Sequence, residues 1–222
     1  GCPLYEARGQ LWACIIRQAA LLVPPEEPIR LVFDDTTKKK AGRQIEGIDR
    51  YRNNAGSARQ EYRTLRGLNF VLGTMLVPAP LWPGHSLSVP IGLEVYLKEA
   101  QARKLRVPYR TRSALARAMM EMVAKELPER PVRVLTDRGY ATKEFLRALP
   151  SRVQVLSRFL ISGKLYALPP LRITPRRGCP PKKGPLVGSP KTLAPKRSGW
   201  HPHPHAAAAR HPAARTLRVD QR

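Results

Sequence analysis

Acidic residues are scarce in this chain. Sixteen Asp and Glu stand against 40 Lys and Arg in 222 residues, a formal net charge of +24. That imbalance excludes an electrically neutral surface and implies strong, salt-sensitive attraction to a polyanion, nucleic acid first. Cysteine is scarcer still. Cys2, Cys14 and Cys179 are scattered, odd in number and without metal-ligand spacing, which argues against a disulfide scaffold and for a reducing compartment. No apolar run reaches the length of a membrane span, and no signal peptide is recognised. No glycine-rich phosphate loop follows any expected strand, which weakens a nucleotide- or sugar-phosphate-hydrolase reading. The chain opens on Gly1, and a preceding piece is expected.

What is present is enough apolar residue, 42% of the chain, for one core of ordinary size. Residues 29–33 read as a short buried strand that ends abruptly in Asp34 and Asp35, two hydroxyls and three lysines. A hundred residues later the pattern returns: a strand over 132–136 ends in Asp137, followed by Arg138, Gly139 and Tyr140. Acids at the carboxyl ends of strands occupy the place where α/β proteins put their chemistry.

Around these strands, helical spacing of Leu11, Trp12, Ile15, Ile16 and Ala19 predicts a helix stopped by Pro24 and Pro25. Residues 38–57 read as a basic loop or hairpin approach. Strands over 65–77 and 87–97 are expected as antiparallel neighbours, joined by a proline- and glycine-rich turn, with Val89, Ile91, Leu93 and Val95 sharing one covered face. Residues 98–112 carry six basic side chains and read as a charged loop. The clearest helix is 113–127, striped by Leu115, Met119, Met122 and Val123, capped by Thr111 or Ser113 and stopped by Pro128. A short helix over 143–149 with Thr142 as its cap, and a strand over 153–157, complete an α/β order with a parallel part.

Composition shifts near residue 169. Residues 171–222 hold nine prolines and twelve Arg or Lys against a single acid, Asp220, so 169–222 is expected to be largely disordered. The other divisions are a helical lead-in at 1–27 and a catalytic-type domain at 28–168.

Two aspartates on adjacent strand ends suit a hard divalent cation, Mg²⁺ or Mn²⁺, and phosphoryl-transfer chemistry on a nucleic-acid backbone. The competing reading of an Asp after a strand is a turn or helix-cap residue. Asp34 and Asp35 cannot point the same way from an extended strand. If Phe33 faces the core and Asp35 shares its side, Asp34 points elsewhere; parity does not settle this where the strand is expected to end.

The ordered series carries a resemblance. Asp34, Asp35, Thr36 and Thr37 are followed by Lys39 and Gly42. After them come the apolar 68–77 strand with its ending at 77–82, residues 127–131, and Thr136 to Tyr140. Together they resemble the DDE transposases of bacterial insertion sequences, of the IS4/IS701-like branch. The likeness spans residues 28–187 and includes segments 155–159, 164–169 and 176–184. It implies an incomplete RNase H-like α/β fold, a mixed sheet with flanking helices. Asp35 would be the first catalytic acid, with Asp34 as alternate, and Asp137 the second, both holding Mg²⁺ or Mn²⁺.

The same resemblance implies DNA as partner, contacted by Lys39, Lys40, Arg43, Arg138, Arg176, Arg177, Lys182 and Lys183. It also implies a homo-oligomer on DNA and a bacterial cytoplasmic location. Arg138 and Tyr140 would flank the second acid and place the scissile phosphate or shape the turn. The family's third acid is a glutamate on a later helix, and no glutamate follows Gly163. The expectation is a transposase remnant, truncated or frame-shifted beyond Leu186 and inactive in complete transposition. The alternative is a nucleic-acid-binding protein without catalysis.

Overall fold

Ile29, Leu31 and Phe33 alternate with less apolar residues, and strand β1 (Ile29–Lys39) buries all three on one face. In this computed structural model the described residues are 3–42, 44–52, 64–147, 149–169, 182–193, 200–202 and 215–217. They divide into two compact units, Gly1–Arg158 and Phe159–Arg222.

The first unit is built on a mixed sheet. Its long member is β3 (Thr64–Pro78), antiparallel to β1 along one side and to β2 (Asp49–Arg52) and β4 (Ser86–Tyr96) along the other. Beyond β1 lie β5 (Val132–Thr136) and β6 (Val153–Ser157), both parallel to their neighbours. The order is β2-β3-β1-β5-β6, with β4 also on β3. The mixed α/β class expected from the sequence is the one observed.

Three helices cover one face: α1 (Pro3–Ala20), α3 (Arg112–Glu126) and the short α4 (Lys143–Leu146). Ile16, Leu115, Met119, Val123 and Phe145 interlock there with Ile29, Phe33, Val71, Val132 and Val134. Thr111 caps α3, accepting from the Ala114 amide at 3.0 Å, and Thr142 caps α4, accepting from Phe145 at 3.2 Å. Both caps fall where the sequence expects them. Met119 drops into a notch made by Gly73 and Gly92, which face each other across β3 and β4. A Cβ at Gly92 would lie 2.6 Å from the Met119 sulfur, so the helix sits closer to the sheet than any larger residue allows. The methionines of α3 are packing residues, as expected.

Three local expectations need correction. β1 runs on to Lys39 and does not stop at Phe33, because β3 is long enough to pair it as far as Gly67. The covered alternation of β4 fails halfway. A register shift at Gly73/Thr74 sets Ile91 outside the one-to-one pairing, so Ile91 is buried while Leu93 and Val95 turn to the exposed side, and Gly92, Glu94 and Tyr96 turn inward. The basic stretch after β4 is not all loop: α2 (Glu99–Lys104) forms there, burying Ala102.

In the second unit, β7 (Leu165–Tyr166) pairs antiparallel with β8 (Leu186–Gly188), followed by α5 (Pro190–Leu193). A second pair joins β9 (Trp200–Pro202) and β10 (Arg215–Leu217). Residues 170–181, 194–199, 203–214 and 218–222 lie outside the described residues.

Candidate metal and nucleic-acid site

Phe33 is the register partner of Thr136 across the parallel β1–β5 pair. The residues that follow, Asp34 and Asp35 on one strand and Asp137 after the other, therefore sit at the same level of the sheet. Only β5 ends there. Asp34 and Asp35 lie inside a paired strand and not at its carboxyl end, since an apolar run can stop while backbone pairing continues.

Strand parity separates the two acids of β1. Because β1 stays extended past Phe33, Asp35 shares the helix-covered face with Phe33 and is half-buried. Asp34 points the other way and is exposed, its Oδ1 accepting from the Asp35 amide at 2.8 Å.

Asp35 is held by groups the sequence reading missed. Asn69, from the core-facing side of β3, is only 1% exposed. Its Nδ2 donates to Asp35 Oδ2 and to Thr37 Oγ1, both at 3.0 Å. Its Oδ1 accepts from Arg112 Nε at 3.0 Å. Arg112 opens α3, lies 3.4 Å from Asp35 Oδ2, and stacks its guanidinium 4.4 Å from the centre of the Tyr96 ring. Oδ1 of Asp35 accepts no hydrogen bond from the described residues. The available signal was Asn69 itself, a polar residue in phase with buried Val71, Met75 and Val77 on an apolar strand.

Asp137 is exposed and has one oxygen engaged. Its Oδ1 accepts from the Gly139 amide at 2.7 Å, an Asx turn, and its carbonyl accepts from Ser157 Oγ at 2.9 Å. The turn reading of this residue is therefore correct, but it leaves Oδ2 without a partner among the described residues.

Tyr140 gathers these groups. It is buried beneath the site, and its hydroxyl, like the neighbouring Thr136 Oγ1, has no hydrogen-bond partner among the described residues. Burial above all, then the charges of Asp35, Asp34 and, more weakly, Asp137, push its phenol far above the ordinary range, with Arg112 opposing. Carboxylates from both strands thus act on one phenol. Tyr140 shapes the turn from below and does not stand beside Asp137 at the surface.

Among the described residues no group of three or more His, Cys, Asp or Glu converges as a metal cage. Glu144 is engaged elsewhere, accepting from Thr111 Oγ1 at 2.7 Å. The donor set is two carboxylates, each with an open oxygen, on adjacent strands. That suits Mg²⁺, which is commonly held by one or two carboxylates with water and substrate phosphate completing its shell.

Lys39 and Lys40 are exposed at the end of β1, and Arg138 is exposed beside Asp137. Between α3 and α4 an open depression of ≈ 720 Å³ is lined by Arg117, Lys143, Glu144 and Arg147. Arg117 also fastens α4 to α3 by donating to the carbonyls of Glu144, Phe145 and Arg147. In the second unit Lys182 and Lys183 are exposed, Lys183 lying 4.7 Å from the centre of the Tyr166 ring. Arg43, Arg176 and Arg177 lie outside the described residues.

A family model described as DDE superfamily endonuclease matches residues 7–222. The chain belongs to the DDE superfamily endonucleases. No curated protein and no solved structure matches it. The family match starts earlier and ends later than the likeness read over 28–187. Membership brings nuclease- or transposase-type activity, DNA as the substrate class and the divalent-metal chemistry general to DDE enzymes. The mixed sheet with its flanking helices agrees with the RNase H-like architecture of a DDE domain. No helix among the described residues is long and apolar enough to cross a membrane.

Proposed function

We propose that this DDE chain is a nuclease of the insertion-sequence transposase type, of the IS4/IS701-like branch, cutting DNA with a divalent cation held by Asp35 and Asp137. The observation that carries the reading is the Phe33–Thr136 register, which brings acids of two strands to one level of the sheet. Asp35 Oδ1 and Asp137 Oδ2 are the oxygens free to bind the cation. Bound Mg²⁺ or Mn²⁺ would activate a water or 3′-hydroxyl for in-line attack on a phosphodiester and stabilise the leaving oxygen.

The protein's own part is to bring the backbone to that pocket. Lys39 and Lys40 are exposed farther along β1 and Arg138 beside Asp137; each phosphate such cations neutralise releases counterions and makes binding salt-dependent. Arg43, Arg176, Arg177, Lys182 and Lys183 belong to the same proposed DNA-contacting set. Complete transposition is outside the proposal. The later-helix glutamate that the resemblance implies as third acid has no counterpart among residues 164–222.

One observation favours the non-catalytic DNA-binding reading: Asp137 already serves its own turn through Oδ1. Cleavage of end-labelled DNA with Mg²⁺ or Mn²⁺ separates the two. Nicking by the wild type, lost in both Asp35→Ala and Asp137→Ala, supports the nuclease. Salt-sensitive DNA binding without nicking overturns it in favour of the binding protein.

A further inference from the structure

Asp35, Asn69 and Arg112 come from β1, β3 and the first residue of α3, and they meet in one hydrogen-bonded chain. Thr37, Asn69 and Tyr96 are successive register partners across β1, β3 and β4. The Asn69 amide therefore looks along the sheet toward β1, while Arg112 lies over the Tyr96 ring beside it. Each polar atom has one assignment that satisfies it. The Asn69 nitrogen goes to the Asp35 carboxylate, and its oxygen to the Arg112 Nε. A flipped amide would set its NH₂ against the guanidinium and its oxygen against the carboxylate, so the two charges fix its orientation. Asn69 is 1% exposed and cannot take water in place of these partners.

Both contacts fall on the same carboxylate oxygen. Asn69 Nδ2 donates to Asp35 Oδ2 at 3.0 Å, and Arg112 Nε, whose hydrogen goes to Asn69 Oδ1, stands 3.4 Å from the same Oδ2 as an ion-pair partner; no hydrogen bond from the described residues falls on Oδ1. We infer that Asn69 and Arg112 are positioning residues that pin Oδ2 of Asp35, leaving Oδ1 as its single oxygen for a divalent cation. The inference rests on the proposed metal role of Asp35. Hydrogen-bonded partners behind a ligating carboxylate set its orientation, and their loss typically costs about 10–100-fold in metal affinity.

The alternative is that Arg112 simply anchors α3 to the sheet. Arg112 and Asp35 form a partly exposed pair, and such pairs contribute little to stability, so the anchoring account needs Asn69 and Tyr96 to carry it. The two accounts differ in sign at the metal. Arg112 is a cation beside the ligand, and removing its charge should by Coulomb's law alone tighten cation binding. If its work is to orient Asp35, removing it weakens binding.

The test is Mn²⁺ affinity of the full chain by calorimetry, with Tm measured alongside, for wild type, Asp35→Ala, Arg112→Met and Asn69→Leu. Met keeps the length and the contact with Tyr96 while removing charge and donor. The expected result is Mn²⁺ binding by the wild type, lost in Asp35→Ala, and weakened about 10–100-fold in Arg112→Met, whose Tm is lowered by the unpaired Asn69 oxygen while a cooperative unfolding transition remains. Asn69→Leu should weaken it similarly. Should the Leu variant fail to fold, Arg112→Met decides alone, its site being partly exposed. Unchanged or tighter binding in Arg112→Met, with Asp35→Ala still inactive in binding, overturns the positioning inference and leaves the metal site standing. Equal binding by wild type and Asp35→Ala overturns both.

Discussion

Phe33 and Phe145 meet edge to face, their ring centroids 6.3 Å apart and their planes at 69°. Phe33 lies two residues before Asp35 on the same face of β1, so the ring contact ties α4 to the strand that carries the acid. Room for the Phe33 ring comes from Gly73, its register partner on β3.

A Cβ at Gly73 would stand 2.8 Å from the Phe33 ring and 3.0 Å from the Met119 sulfur. Gly73→Ala should therefore destabilise the fold by about 1–3 kcal/mol through overpacking. Urea unfolding should show a lower midpoint at unchanged slope. A wild-type midpoint would mean that Phe33 and Met119 have slack that their contacts do not suggest.

Tyr140 buries a hydroxyl that has no partner among the described residues. An unsatisfied buried donor costs about 1–3 kcal/mol, so Tyr140→Phe should leave stability unchanged or raise it by up to about 1 kcal/mol. Thermal unfolding measures this directly. A loss of more than about 1 kcal/mol would mean the hydroxyl is paired in solution.

Lys39 and Lys40 are adjacent and exposed. If both meet phosphates, Lys39→Ala/Lys40→Ala should lower the slope of log K against log salt by about 2, since each contact contributes about 0.9. Binding at low salt should weaken alike on unrelated sequences, because phosphate contacts carry no sequence information. Filter binding or fluorescence anisotropy across a salt series would show it. An unchanged slope would take the end of β1 out of the DNA path.

Tyr51 donates to the Tyr96 carbonyl at 3.1 Å, and burial, with Asp49 and Tyr96 adding, raises its pKa from 10.0 to about 12, against the opposing charge of Arg112. A group whose folded pKa is raised stabilises fully below its unfolded value and loses that contribution as pH climbs through the folded one. Stability attributable to Tyr51 should thus decline between pH 10 and about 12. Unfolding free energies of wild type and Tyr51→Phe should differ by a constant below that window and converge within it. A constant difference up to pH 12 would contradict the raised pKa.

Much of the fold was legible because its signals are local. Pro24–Pro25 and Pro128 bound helices, Thr111 and Thr142 cap them, and alternation marks β1, β3 and β5. The side of Asp35 was not legible, because parity holds only along an extended strand and β1 was expected to end at Phe33; its continuation to Lys39 puts Asp35 on the face of Phe33. What escaped depends on partners distant in sequence. The continuation of β1 to Lys39 is decided by the length of β3, and the flip of Leu93 and Val95 by one extra residue opposite Gly73 and Thr74. At the site, Asp137 was legible both as an acid and as a turn residue, and it is the turn acceptor while keeping one oxygen free. Arg112 sat in a basic stretch with five other cations, and nothing local distinguishes the one that the start of α3 brings to Asp35.

The central claim is that Asp35 and Asp137 serve one cation. The most direct measurement is a double-mutant cycle on Mn²⁺-supported DNA cleavage with Asp35→Asn, Asp137→Asn and the pair. Asn at 137 keeps an oxygen for the Gly139 amide and so preserves the turn. The account predicts a loss of at least about 100-fold in kcat/KM for each single variant and no further loss in the double, as for residues that act as a unit. Multiplying losses, or a wild-type rate for Asp137→Asn, would contradict it and leave Asp137 as a turn residue alone.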